Sequence, residues 1–199
     1  MVKAVFFDLG GVLFTNGTKR FISYLVNKYA VNEEKAKRLV DVGRIPNAYR
    51  EGKITRDEFW EKVRNKLQIR EETDKLEKEW VKGYQLIKGT RDIIFILKKR
   101  YKVYFLSDNV KERVDLLDKK FGFLSWFDGG VFSYEVGVRK PNPKIYKILL
   151  KKAILKEKEA VFIDDKEIPR QSASKIGIAT ILFRNPQQLK RDLGKKYIL

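Results

Sequence analysis

Ala4-Val5-Phe6-Phe7 is a short run with no polar position, and it stops abruptly at Asp8-Leu9-Gly10-Gly11. Such a run does not alternate between a wet and a dry face, so it reads as a strand buried on both faces and followed by a glycine-rich turn. Four more runs share this character: Val103-Tyr104-Phe105-Leu106, Gly130-Val131-Phe132, Ala160-Val161-Phe162-Ile163 and Ala179-Thr180-Ile181-Leu182-Phe183. Helical patterns lie between them. Ile93, Ile94, Ile96 and Leu97 form one apolar stripe, and Ile145, Ile148 and Leu149 form another. Asn142-Pro143 and Asn185-Pro186 each join an N-cap residue to proline at the first helical position. Strands alternating with helices predict an α/β fold, with a parallel sheet covered on both faces.

Residues 16–88 break the alternation. They contain no convincing strand and read as amphipathic helices punctuated by Gly43 and Gly52. Asn32-Glu33-Glu34 opens one helix, and Thr55-Arg56-Asp57-Glu58 is a capping box that opens another, carrying Phe59, Trp60, Val63 and Leu67. Phe59 and Trp60 fit a buried stripe better than a stacking platform. The expected division is a core of residues 1–15 and 89–199, with an all-helical insertion at 16–88.

Composition narrows the chemistry. The 199 residues include no Cys and no His, which excludes disulfides, thiolate zinc sites, cysteine nucleophiles and imidazole-based triads. An enzyme built from this chain must work with carboxylates, hydroxyls and lysines. The net charge of +18 invites a nucleic-acid reading, but the excess is spread along the chain. Residues 16–88 carry 18 basic and 12 acidic residues, and residues 89–199 carry 25 and 13. The longest basic run, Lys98-Lys99-Arg100, falls at an expected helix end, where cations favour the dipole. A lysine-rich solvated surface is the expected reading, and nucleic acid is not an expected partner. Asp8 interrupts the apolar N-terminus, no small-residue cleavage site follows Val12–Phe14, and no window approaches a membrane span. A cytoplasmic protein without membrane association is therefore expected.

Ligands of open parallel sheets bind beyond the carboxyl ends of the strands. Asp8 stands there after the first run, Ser107-Asp108-Asn109 after the second, Lys140 beyond the third and Asp164-Asp165 after the fourth. Taken singly, each is an ordinary turn or cap residue. Together they bring carboxylates, a hydroxyl and a lysine to one rim.

These residues carry a family resemblance. Phe6-Phe7-Asp8-Leu9-Gly10-Gly11-Val12-Leu13 resembles the first motif of the haloacid dehalogenase-like (HAD) hydrolases, and Leu106-Ser107-Asp108-Asn109 the second. Val138-Arg139-Lys140-Pro141-Asn142-Pro143 resembles the third, and Phe162-Ile163-Asp164-Asp165 the variant of the fourth with adjacent acids. The insertion resembles the family's helical cap, and Tyr49-Arg50-Glu51-Gly52-Lys53-Ile54 is similar to caps of its phosphatase-like members.

The resemblance implies a Rossmann-like core and Mg²⁺-dependent hydrolysis of a small phosphorylated metabolite, a phosphoric monoester. Asp8 is then the nucleophile and forms an aspartyl-phosphate, while Lys140 and Ser107 stabilise the phosphoryl group. Mg²⁺ is implied on Asp8, the Gly10 carbonyl and Asp165, with Asp164 acting through water or supporting Lys140. Ser107, Asp108 and Asn109 are the implied substrate contacts. Three clustered acids would repel a phosphate dianion, and a divalent cation with Lys140 cancels their charge.

Gly10 is a departure, since most phosphatases and mutases of the family have a second Asp there as general acid. That argues against a phosphomutase and favours leaving groups that need little protonation, such as anomeric, phenyl or acyl phosphates. The alternatives are a haloacid dehalogenase-type hydrolase, or a low-activity binding scaffold with a basic surface. Arg20, Arg44 and Lys53 could meet an anionic substrate, though each reads better as a solvated cap residue. A small phosphate ester is the expected partner, and a homodimer is left open.

Overall fold

In the computed structural model, which describes residues 1–196, 198 and 199, the five apolar runs are strands. They are β1 (Ala4–Phe7), β2 (Lys102–Ser107), β3 (Gly129–Phe132), β4 (Ala160–Asp164) and β5 (Ala179–Leu182). All pair in parallel, in the order β3-β2-β1-β4-β5, so β1 occupies the centre of a Rossmann-like sheet. Every residue of β1 and β4 is buried, as expected of strands covered on both faces.

Alternate residues feed two apolar cores. Val5, Phe7, Val103, Phe105, Val161 and Ile163 face one side of the sheet. Ala4, Phe6, Leu106, Val131 and Phe162 face the other. The second core is covered by α9 (Pro143–Ala153) and α10 (Glu167–Lys175). The first takes α6 (Lys88–Leu97), α7 (Lys111–Phe121) and α11 (Pro186–Lys195), with a short α8 (Ser133–Val136) after β3. Asn142 and Asn185 cap α9 and α11 as expected, each with proline in the first turn. The α6 stripe needs one correction. Ile93, Ile94 and Leu97 are buried, but Ile96 is 44% exposed. At 3.6 residues per turn it falls about 60° outside the arc that the other three define.

Between β1 and α6 lie five helices: α1 (Gly17–Tyr29), α2 (Glu33–Val40), α3 (Arg44–Arg50), α4 (Arg56–Leu67) and α5 (Thr73–Lys82). The Thr55 capping box and the Asn32 cap form as the sequence indicates. Phe21, Phe59, Trp60 and Trp80 make an aromatic centre, with Phe21 and Trp80 stacked at 4.6 Å. This centre belongs to the same apolar cluster as Val110, Val114 and Leu117 around α7, so the helices rest on the sheet domain. The outgoing and returning chain segments run side by side, with Thr15 N donating to Gln85 O and Ile87 N to Leu13 O. Gly52 gives a close approach: at φ +64°, a Cβ there would lie 2.6 Å from the Tyr134 carbonyl oxygen. Among the described residues, no helix is long and apolar enough to cross a membrane.

Candidate active site

The sheet register sets the site. Phe7 pairs with Ile163, which puts Asp8 and Asp164 beside each other where β1 and β4 end, at the point where strand order reverses. Two adjacent buried carboxylates repel, and Lys140 resolves the conflict. Its Nζ lies 2.6 Å from Asp164 Oδ2 and 2.9 Å from Asp8 Oδ1, with all three side chains buried. The Asp8 carboxylate is fixed further by the Leu9 N–H, which donates to Oδ1 at 2.8 Å. The remaining oxygen of Asp164, Oδ1, accepts from Lys166 N at 2.8 Å. Both oxygens of Asp164 are thus engaged.

Asp165 differs. Its Oδ1 is buried and lacks a hydrogen-bond partner among the described residues. A buried polar atom without a partner is costly and signals a missing ligand or water. Gly11, at φ +86°, makes room for this side chain, since a Cβ there would sit 2.3 Å from Asp165 Oδ2. Oxygens of Asp8, Asp164 and Asp165 all lie within 4.8 Å of one another. One lysine against three acids leaves two negative charges, and an all-oxygen donor set of that charge suits Mg²⁺. Electrostatics record the strain. Burial, aided by Asp164 and Asp165 and opposed by Lys140, pushes the Asp8 carboxyl up to about 7. Burial and Asp164 also raise Asp165. Burial alone would lower Lys140, but Asp164, Asp8 and Asp108 carry it above its ordinary value.

The β2 exit supplies the rest of the floor. Ser107 is buried and lines a cavity of about 460 Å³ together with Asp8, Gly10, Asp108, Asn109, Lys140 and Asp165. Asp108 Oδ1 accepts from Lys140 N at 3.0 Å, so it orients the loop that carries the lysine. Asn109 Oδ1 accepts from Val110 N at 3.0 Å and from Arg113 Nη1 at 3.3 Å.

The helical side of the cavity holds residues that sequence reasoning did not single out. Arg113, Tyr84, Thr18, Asn47 and Asp41 line it, as does Arg50, which was noted only within a cap-like segment. Arg20, Arg44 and Lys53 do not line it: Arg20 bonds Gln85, Lys53 pairs with Glu51, and Arg44 borders a separate surface groove. Phe59 and Trp60 are core, as expected. The only signal that could have found Arg113 is its position six residues after Ser107, in the first turn of the helix that follows the site-bearing loop.

The family model of the haloacid dehalogenase-like hydrolases matches residues 2–168. The chain belongs to that family. Its fold is shared by a HAD family enzyme from Bacteroides thetaiotaomicron solved with magnesium and inorganic phosphate: 26% identity, 93% of this chain and 96% of that one covered, TM-score 0.78. Over its sequence, this HAD-like hydrolase is 21% identical to a D-ribitol-5-phosphate phosphatase of the same organism, with 97% of each chain aligned. It is 28% identical, over 75% of its length, to an uncharacterised protein of Dictyostelium discoideum. The chain spans 66% of that relative's length and 12% of the next curated relative's.

Proposed function

We propose that this HAD-like hydrolase is a Mg²⁺-dependent phosphatase acting on a small phosphoric monoester through an aspartyl-phosphate on Asp8. The observation that carries the reading is the carboxylate trio with its partnerless Asp165 oxygen, which one lysine does not neutralise. A dehalogenase needs no cation and gives that excess charge no purpose. The relative that cleaves D-ribitol 5-phosphate and the neighbour solved with magnesium and phosphate support the same choice.

A carboxylate oxygen of Asp8 attacks phosphorus and the ester P–O bond breaks, giving the acyl phosphate and an alkoxide or phenoxide that takes its proton from water. Water then attacks the acyl phosphate, releasing phosphate and restoring Asp8. Lys140, held by Asp164, faces the charge that develops on the phosphoryl oxygens, and the Ser107 hydroxyl donates to the same group. Mg²⁺, held by Asp8, the Gly10 carbonyl and Asp165, would supply charge neutralisation as a Lewis acid. Asp164 serves by fixing Lys140. Helices α1–α5 act as the cap, closing the cavity over the substrate and giving it selectivity.

The test is phosphate release from p-nitrophenyl phosphate and a panel of phosphorylated metabolites. Release should require Mg²⁺, vanish with chelator and fall by about 10⁴-fold or more in Asp8→Asn. Turnover of Asp8→Asn at the wild-type rate would remove Asp8 as nucleophile, and metal-independent turnover would remove the Mg²⁺ assignment.

A further inference from the structure

Arg113 is a buried cation that the mechanism above does not use. It sits on α7 and lines the catalytic cavity beside Asn109. Its guanidinium lies over the Trp80 ring at 3.9 Å and makes one hydrogen bond, Nη1 to Asn109 Oδ1. Among the described residues it forms no ion pair. The acids around it are committed elsewhere. Asp41 pairs with Arg50 at 3.1 Å, Glu112 accepts from Tyr49 at 2.6 Å, and Glu77 accepts from Arg56 and from Trp60 Nε1. Asp108 accepts from Lys140 N and faces Arg139.

A second arginine, Arg50, lines the same cavity, held by Asp41 at 3.1 Å. Burial, with Arg50, lowers Arg113 from its ordinary value, yet a guanidinium stays protonated at any physiological pH. A buried charge without a counter-charge is unfavourable, and the Trp80 face offsets only part of that. A guanidinium with free N–H groups on a cavity wall matches the two oxygens of a carboxylate or phosphate.

We infer that the cavity carries a second anion subsite at Arg113, with Arg50 beside it, and that the substrate is a phosphomonoester bearing a second anionic group, a carboxylate or another phosphate. The inference rests on the phosphatase reading for the position of the first phosphate, which sits at Asp8 and Lys140. Arg113 selects the substrate's far end, and Asn109 positions it.

Matched substrates test this. 3-Phosphoglycerate against glycerol 3-phosphate reports a carboxylate, and fructose 1,6-bisphosphate against fructose 6-phosphate reports a second phosphate. For at least one pair, kcat/KM of the wild type should favour the doubly anionic member by about 10- to 100-fold. Arg113→Gln should abolish that preference, bringing the two members of the pair to the same kcat/KM chiefly through KM, and Arg113→Lys should restore part of it. Equal turnover of both members of both pairs by the wild type overturns the inference without any variant. So does a preference that survives in Arg113→Gln. If p-nitrophenyl phosphate and every other ester resist hydrolysis, the phosphatase reading fails on its own. The subsite is then read by calorimetry on Asp8→Asn with Mg²⁺. Tighter binding of 3-phosphoglycerate or of fructose 1,6-bisphosphate than of its partner, lost on adding Arg113→Gln, supports the inference; indifference in both pairs overturns it.

Discussion

Lys140 and Arg113 are both buried cations on the wall of one cavity, and they are treated in opposite ways. Lys140 is enclosed by Asp8 and Asp164, so the floor of the site carries its own counter-charges and is short of positive charge overall. Arg113 has an aromatic face and an amide oxygen but no ion pair among the described residues, so the wall at α7 is short of negative charge. The carboxylate floor therefore calls for a cation and the α7 wall for an anion. Under the proposed reading, a phosphoester with an acidic tail, bound beside Mg²⁺, would answer both demands.

The largest expected effect separates the two cations. Lys140→Met leaves two adjacent buried carboxylates unpaired and should cost about 3–5 kcal/mol of stability in urea unfolding. It should also lower kcat by about 10²–10³-fold. Arg113→Gln breaks no ion pair and should change stability by only about 1 kcal/mol in either direction. Equal losses from both variants would mean that Arg113 has a counter-charge in solution, and the contrast would collapse.

A gain-of-function variant sharpens the account of the floor. On the phosphatase reading, Gly10 leaves the floor without an acid for the leaving group; a Cβ there meets nothing within 4 Å. Gly10→Asp should raise kcat on alkyl phosphates by up to about 10²–10⁴-fold and change phenyl phosphates far less. No change on alkyl esters would show that another group already protonates the leaving oxygen.

The smallest effect is on pH. In metal-free protein the Asp8 carboxyl is raised from 3.8 to about 7, chiefly by burial, and Asp108 and Asp165 are raised in the same direction. A raised acid binds its proton more tightly in the folded state. Its contribution to stability is full below about pH 4 and is lost as pH rises towards 7. Urea unfolding with chelator at pH 4.5 and pH 7.5 should show this decline, and Asp8→Asn should flatten it. Arg113→Gln should leave the slope unchanged, because a guanidinium does not titrate in this range.

Much of the floor was legible because it is written locally. Asp8, Ser107-Asp108 and Asp164-Asp165 stand at the ends of apolar runs, where a buried parallel strand delivers its last or next residue to the sheet's carboxyl edge, and Lys140 lies in the loop beyond the third. Hence Asp8, Ser107, Lys140 and Asp165 could be named from spacing and resemblance, and all line the cavity. Ile96 was misplaced because a four-residue stripe does not fix which flank of a helix turns outward. Arg20, Arg44 and Lys53 were weighed as cap cations on charge alone, and charge does not say where a surface residue points. Arg113 was passed over because an arginine in α7, between Glu112 and Val114, has the neighbours of any solvated helix.

What the sequence determined by itself is the sheet, the strandless insertion and the acidic rim, since all three follow from periodicity and from the residue at each strand's exit. What only the tertiary structure decided is which charges remain without partners. Asp164 has both its oxygens engaged, Asp165 keeps one free, and Arg113 is enclosed beside Trp80, 33 residues away in the chain. Burial and pairing depend on contacts between distant segments, and those contacts exist only once the helices have docked on the sheet.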